Sequence, residues 1–353
     1  RPRRALREPE VIDLCTASSS AAPSRHTCAA STAAASSAAP SAGPAEVINL
    51  CSTQRPARHG ENGKENARPD DPPPRRKRAS ATGAVDAQDA AIAPYMRSID
   101  RHLADTEGTF RSRLGFMSRQ ADVNGKMRAI LVDWLVDVHL KFKLLSETLH
   151  LAINLLDRYL EKESVPRRKL QLVGCTALFI ASKYEEIMAP EARDFVFVSD
   201  RAFTRKQLLQ TEGKILTSLN FHLTSPSPLL FLQRFASVAG LPSVPADCAA
   251  MPPSRTEMLA RYLIELTLPQ CHLYGHSQSH IAAASVLLAL QAMGQPPWSS
   301  PLAEHTGYSA ADLAPCTLAL SALHAAAAAD PLQAIRRKYA QDRFGAVSGI
   351  PLP

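Results

Sequence analysis

Three histidines, His272, His276 and His280, recur at intervals of four, a spacing that would stack imidazoles on one face of a helix where they could ligate a cation. A metal centre also needs thiolates or carboxylates at matching intervals, and no recognisable carboxylate or cysteine complement accompanies them. No metal and no cofactor is therefore expected. The seven cysteines (Cys15, Cys28, Cys51, Cys175, Cys248, Cys271 and Cys316) include no CxxC pair and no short ligand spacing, which fits a reducing compartment inside a cell. A glycine-rich phosphate loop and an HExxH motif are both missing from the sequence, so an all-helical enzyme is disfavoured. Charge offers other candidates. Arg128 sits among apolar neighbours, where it is either a surface arginine at a helix start or a partner in something buried. Lys183 and Glu185 close an apolar run, and a lysine near a helix C-terminus is favourable in itself.

The chain has 353 residues with 27 Pro and 15 Gly, unevenly spread, and a formal charge of +7. That charge is mild for the length and permits nucleic-acid contact without arguing for it. No direct nucleic-acid partner is expected. No apolar run approaches the roughly 20 residues that span a bilayer, and the start lacks the apolar core of a signal peptide, so no membrane association is expected either. The first residue is Arg1 rather than Met, which leaves room for residues upstream.

From Arg1 to about Ala93 the chain is Ala, Ser, Pro and Thr with scattered charge. Such a segment cannot bury enough side chain to offset the entropy of ordering it, so residues 1–93 are expected to be a disordered arm. Periodicity begins near Tyr95. Asn124 can cap a helix carrying Met127, Ile130, Leu131, Trp134, Leu135 and Val138 at helical intervals. Further helices are predicted over 146–160, 170–183, 190–197 and 204–219, then over 228–239, 254–268, 277–293, 310–328 and 330–339. The helix over 170–183 is apolar on nearly every face, which implies other helices around it. Pro242, Pro245, Pro252 and Pro253, then Pro296, Pro297 and Pro301, read as connections. No run shows strand alternation. The expectation is an all-α protein of two adjacent helical domains, 94–224 and 225–345, behind the arm.

The segment Met127-Arg128-Ala129-Ile130-Leu131-Val132-Asp133-Trp134-Leu135-Val136-Asp137-Val138 resembles the first cyclin-box helix of mitotic cyclins. Lys169–Gly174 and Ala181-Ser182-Lys183-Tyr184-Glu185-Glu186-Ile187 are again similar to that family, and Gln120–Asn124 with His139–Leu149 look B-type. The resemblance runs from about Tyr95 to Tyr339 and is weaker after Pro228. It implies two tandem five-helix cyclin boxes and a regulatory subunit, itself without catalysis, that activates a cyclin-dependent kinase and helps select substrates at the G2/M transition. By the same resemblance Arg128 and Asp157 form a buried ion pair joining the first two helices. Lys183, Glu185, Glu186, Phe197, Arg205 and Glu212 would face the kinase. Met127, Ile130, Leu131, Trp134, Asp137, Leu170 and Gln171 would form a docking patch for Arg-x-Leu substrates or inhibitors, with Trp134 partly core and partly groove. Asp137 stands where many relatives carry Glu, which shortens its reach toward a peptide Arg. The competing reading is a cyclin-fold interaction or transcription scaffold that activates no mitotic kinase; Lys183 and Glu212 together favour the kinase.

Short motifs stand in the arm. Lys64-Glu65-Asn66 resembles a KEN degradation signal for the anaphase-promoting complex, and Arg3 with Leu6 matches only a minimal destruction box. Arg75-Arg76-Lys77-Arg78 suits the acidic groove of a nuclear import receptor, or is a solvated charge run, and localisation to nucleus and cytoplasm is expected. Glu10–Thr16 nearly recurs as Glu46–Ser52. Val11–Leu14 and Val47–Leu50 resemble the strand-forming peptide that binds SUMO-type modifiers, or record a duplication with no partner.

Overall fold

The structure is a computed structural model that describes residues 95–241, 254–296 and 298–353, all within one compact unit. Helices and short 3-10 turns make up its regular structure, with no strand among the described residues. Lys64–Asn66, Arg75–Arg78, Arg3, Leu6 and the two repeated segments lie outside the described residues, as do Pro242, Pro245, Pro252, Pro253 and Pro297.

Local chemistry sets the helix starts. The Asn124 side chain accepts from the Met127 amide at 3.0 Å and opens α1, Gly125–Phe142, because the first amides of a helix have no partner within it. Lys143 ends α1 in the left-handed conformation, φ 56°. Then follow α2 (Ser146–Lys162), α3 (Leu170–Glu185), α4 (Ala192–Val198) and α5 (Arg205–Ser218), the last opened by a Thr204/Gln207 capping box. In this first set α3 is central and packs against α1, α2, α4 and α5. Gly174 lets it approach α1: a Cβ there would lie 2.8 Å from the Leu131 side chain. Leu131, Leu135, Leu155, Leu156, Leu160, Leu170 and Leu178 are fully buried, each contributing on the order of 1.5–3 kcal/mol.

The second set is α6 (Pro228–Val238), α7 (Arg255–Leu266), α8 (Gln278–Ala292), α9 (Ser300–Thr306), α10 (Ala310–Ala326) and α11 (Ala334–Tyr339). Here α8 is central, against α6, α7 and α10. Helix α9 falls in a stretch read as connection because of its prolines. Pro301 sits in the first turn, where the missing N–H is no loss, and Ser299 caps the helix. Helix α11 begins at Ala334 rather than Asp330, because Asp330 accepts from the Leu332 amide at 2.8 Å and holds a turn instead. Packing also continues past the expected end at 345, where Val347 is buried.

The two sets are bolted together by polar contacts. The Ala334 amide donates to Asp133 of α1 at 2.9 Å, and the Arg337 guanidinium pairs with Asp137 at 2.8 Å. A helix over 95–106 lies at the start of the expected first domain, yet its Asp100 pairs with Arg234 of α6 at 2.6 Å. Just beyond that helix, Glu107 accepts from the Ser279 amide of α8 at 3.0 Å.

Candidate functional site

The C-terminal end of α3, the loop after it and the helices α4 and α5 gather several of the large apolar side chains that are exposed among the described residues. Tyr184, Ile187, Met188 and Phe197 are all exposed, Phe197 at 72%. Large apolar groups gathered on one short stretch are normally reserved for a partner. Beside them the Lys183 ammonium pairs with the Glu212 carboxylate and lies 4.3 Å from the Phe179 ring centroid. Half-exposed ion pairs contribute only about 0–1 kcal/mol, so this pair can be given up cheaply to other polar groups. Arg205 is exposed at the first turn of α5.

Glu185 and Glu186 behave differently from each other. Glu186 turns inward, where its carboxylate accepts from the Leu145 amide at 2.8 Å and from the Thr148 hydroxyl. It thereby satisfies the Leu145 amide just ahead of α2 and a hydroxyl in its first turn, a capping role that nothing in the local sequence announces. Glu185 is half-buried, and burial together with Glu147 and Glu186 raises its pKa. Ile187 and Met188 were not among the residues expected at this face. Their signal was present in the sequence, since two apolar residues follow directly on a charged helix end.

The expected docking stripe on α1 is largely closed. Met127, Leu131, Trp134, Leu170 and Gln171 are buried, Leu131 and Leu170 completely, while Ile130 and Asp137 are half-buried. Asp137 already carries Arg337. Gln171 retains a buried side-chain amide nitrogen with no hydrogen-bond partner.

Beneath these surfaces lie two buried ion pairs. The Arg128 Nε donates to Asp157 Oδ1 at 2.6 Å and Nη2 to Oδ2 at 2.6 Å, a two-pronged bond between α1 and α2. Burial, the largest single influence, lowers the guanidinium pKa, but the charge of Asp157, its hydrogen bond and the neighbouring Tyr274 and Cys271 together outweigh it and the net shift is upward. The same arginine donates to the Leu268 carbonyl at 2.9 Å and the Tyr274 hydroxyl at 3.2 Å, both in the second helical set. The second pair was not foreseen: Lys338 of α11 donates to both oxygens of Glu265 on α7, at 2.6 and 2.8 Å, and the Tyr339 hydroxyl adds a bond at 2.8 Å. Burial pushes the Glu265 pKa up, but Lys338 holds it below the usual range. His139 and His150 stand near this pair as neutral imidazoles. Burial, with the Lys338 charge adding to it, depresses their pKa values to about 3 and about 4.

Of the three histidines at intervals of four, His276 and His280 come together and are joined by Cys316; His272 is not part of the group.

Residues 98–224 match the family model for the cyclin N-terminal domain and 226–353 the one for the cyclin C-terminal domain. Among curated relatives, a G2/mitotic-specific cyclin-A of Hydra viridissima is 39% identical over 257 residues, 72% of this chain and 59% of that protein. Cyclin-B1-3 of Oryza sativa subsp. japonica is also 39% identical, over 269 residues, 75% of this chain and 55% of that protein. The chain thus spans less than two thirds of the length of both. G2/mitotic-specific cyclin S13-7 of Glycine max is 42% identical over 237 residues, 67% of this chain and 88% of that protein. Among solved structures, a viral cyclin from herpesvirus saimiri superposes with a TM-score of 0.54 at 20% identity, covering 66% of this chain and 96% of the viral one.

Proposed function

We propose, from the premise that this chain belongs to the cyclin family with A/B-type mitotic relatives, that it binds and activates a cyclin-dependent kinase through the end of α3 with α4 and α5. One observation carries the reading: Tyr184, Ile187, Met188 and Phe197 stand exposed beside the weakly committed Lys183–Glu212 pair. Apolar groups supply the area of a protein interface and the charged pair supplies its register. Catalysis belongs to the partner, whose Lys–Glu pair must be assembled by positioning a mobile helix. The cyclin acts by binding the assembled arrangement better than the collapsed one, a shift of population.

The B-type reading rests on Gln120–Asn124 and His139–Leu149; the relatives named A and B are equally similar. Substrate selection at G2/M through Arg-x-Leu peptides requires α1 to open around Ile130, and it requires Arg337 to release Asp137 to a peptide arginine. The unpartnered Gln171 amide is then a ready donor for peptide backbone. Turnover through Lys64–Asn66 by the anaphase-promoting complex, import through Arg75–Arg78 into the nucleus from the cytoplasm, and SUMO binding through Val11–Leu14 or Val47–Leu50 complete the proposal.

The test is to mix the purified chain with mitotic-class kinases and measure histone phosphorylation. Stimulation is expected, together with assembly weakened about tenfold or more when Lys183 and Glu212 are both changed to Ala. No stimulation of any such kinase would leave a cyclin-fold scaffold. Unchanged affinity of the double variant would move the interface elsewhere.

A further inference from the structure

We infer that His276, His280 and Cys316 form a binding site for a borderline-soft divalent cation of the zinc class, pinning α10 to the start of α8. Each residue offers one ligand atom, and the three atoms lie within 4.8 Å of one another. The two histidine Nδ1 atoms are 3.3 Å apart. With zinc–nitrogen bonds of about 2.0–2.1 Å and a zinc–sulfur bond of about 2.3 Å, the edges of a tetrahedral site are about 3.3 Å between nitrogens and about 3.6 Å from nitrogen to sulfur. The nitrogen pair already has that spacing, and the Cys316 sulfur belongs to the same close group. Two imidazoles and a thiolate select zinc over magnesium or calcium, which prefer oxygen.

The surroundings hold the ligands in a usable state. His280 Nε2 lies 3.0 Å from the Asp312 carbonyl. A carbonyl only accepts, so the proton sits on Nε2 and Nδ1 presents its lone pair. Orientation of a ligating imidazole by a carbonyl on its far nitrogen is the usual support in zinc sites. The His280 ring also stacks on Tyr308, centroids 5.0 Å apart, and the Tyr308 hydroxyl is fixed by Ser279 at 2.8 Å. His276 is held from behind, its backbone carbonyl accepting from Arg111 at 2.9 Å. Without a metal, His276 Nδ1–H donates to His280 Nδ1. On binding, that proton moves to Nε2 and the Cys316 thiol gives its proton to solvent, so one proton is released per cation. Three protein ligands leave a fourth position for water.

Cobalt(II) titration of the full chain under reducing conditions tests this without any kinase. One equivalent is expected to give a thiolate-to-cobalt absorption band with tetrahedral visible bands. Zinc should displace it and raise Tm. In C316A the thiolate band should vanish, and in H280Q, at a half-buried position, zinc affinity should fall by about 100-fold or more. Far-UV circular dichroism checks that each variant is folded, and H280Q decides the matter if C316A is not. Absence of the band in the unaltered chain, or the same band and affinity in the folded variants, overturns the site, the latter by placing the metal on other cysteines.

Discussion

The two boxes bury their central helices alike and differ in what they leave outside. At the end of α3 the first box exposes Tyr184, Ile187, Met188 and Phe197, whereas among the described residues of the second box Leu318 is the one large apolar side chain that is exposed. The second box instead spends its polar groups inward, on Glu265 with Lys338 and on the Leu268 carbonyl and Tyr274 hydroxyl that complete the first box's Arg128–Asp157 pair. On the proposed reading one box meets the partner and the other braces it. Substitutions in the shared buried network should act on stability, and those at the end of α3 on assembly.

The largest expected effect is on the network. Arg128→Leu leaves Asp157 charged and buried, a loss of about 3–5 kcal/mol, and Lys338→Met strands Glu265 with a similar cost. Urea denaturation measures both. Replacing both members of either pair by apolar residues should cost much less than either single change, since no lone charge remains. Single variants with unchanged stability would separate the brace from the fold and break the comparison.

Acid should expose the same network next. His139 and His150 have folded pKa values near 3 and 4 against 6.5 unfolded. A depressed basic pKa means that the unfolded chain takes the proton first, so stability is present above pH 6.5 and is lost as pH falls toward 4. His150 alone accounts for about 3 kcal/mol over that range. Denaturation midpoints across pH 4–7 should slope accordingly, with His150→Leu flattening the slope by about one proton. An identical slope in the variant would mean that the charge change lies elsewhere.

On the exposed face beyond α3, Phe197→Ala and Ile187→Ala should leave stability within about 0.5 kcal/mol, because neither side chain is buried. Affinity for the proposed kinase partner should drop by about 1–2 kcal/mol each, read by titration calorimetry. Equal losses in stability and affinity would show that this face is structural, and the contrast between the boxes would fail at its clearest point.

What could be read in advance follows the same division. Asn124, the stripe on α1 and the all-round apolar α3 are local patterns, and local patterns dictate the helices that formed. The helices of the first box therefore emerge from its residues, whereas Phe197 was placed on a face only by the family resemblance. Glu186 capping α2, Arg337 on Asp137 and Cys316 beside His276 and His280 are pairings between segments far apart in the chain. Such pairings leave no periodicity, because they depend on where two helices come to rest. Helix α9 was missed for another reason: Pro301 breaks a helix interior but favours a first turn. The docking stripe was legible as a stripe, whereas its covering was not. Helical spacing marks a face without saying what covers it, and here Leu131 and Leu170 lie wholly inside.

The smallest expected effect lies where the boxes touch. Asp133 on α1 accepts from the Ala334 amide at the start of α11, a contact that should favour a charged carboxylate at a helix N-terminus. Burial outweighs it and, with Asp137 adding repulsion, raises the pKa from 3.8 to about 6. A raised acidic pKa means that the folded chain holds the proton more tightly, so this contribution is full below pH 3.8 and is lost as pH rises through 6. Asp133→Asn keeps an oxygen for the Ala334 amide and removes the charge. At pH 7 the variant should be more stable than the parent by about 1 kcal/mol, a figure reduced for the solvent that reaches this site. The advantage should shrink toward pH 4.5, where Asp133 is protonated in the parent. His139 and His150 titrate in both proteins and cancel in the difference, so the pH dependence of that difference isolates Asp133. A variant that is less stable at pH 7 and recovers in acid would show that the carboxylate is a net helix cap, and that the contact between the boxes is held by charge rather than strained by it.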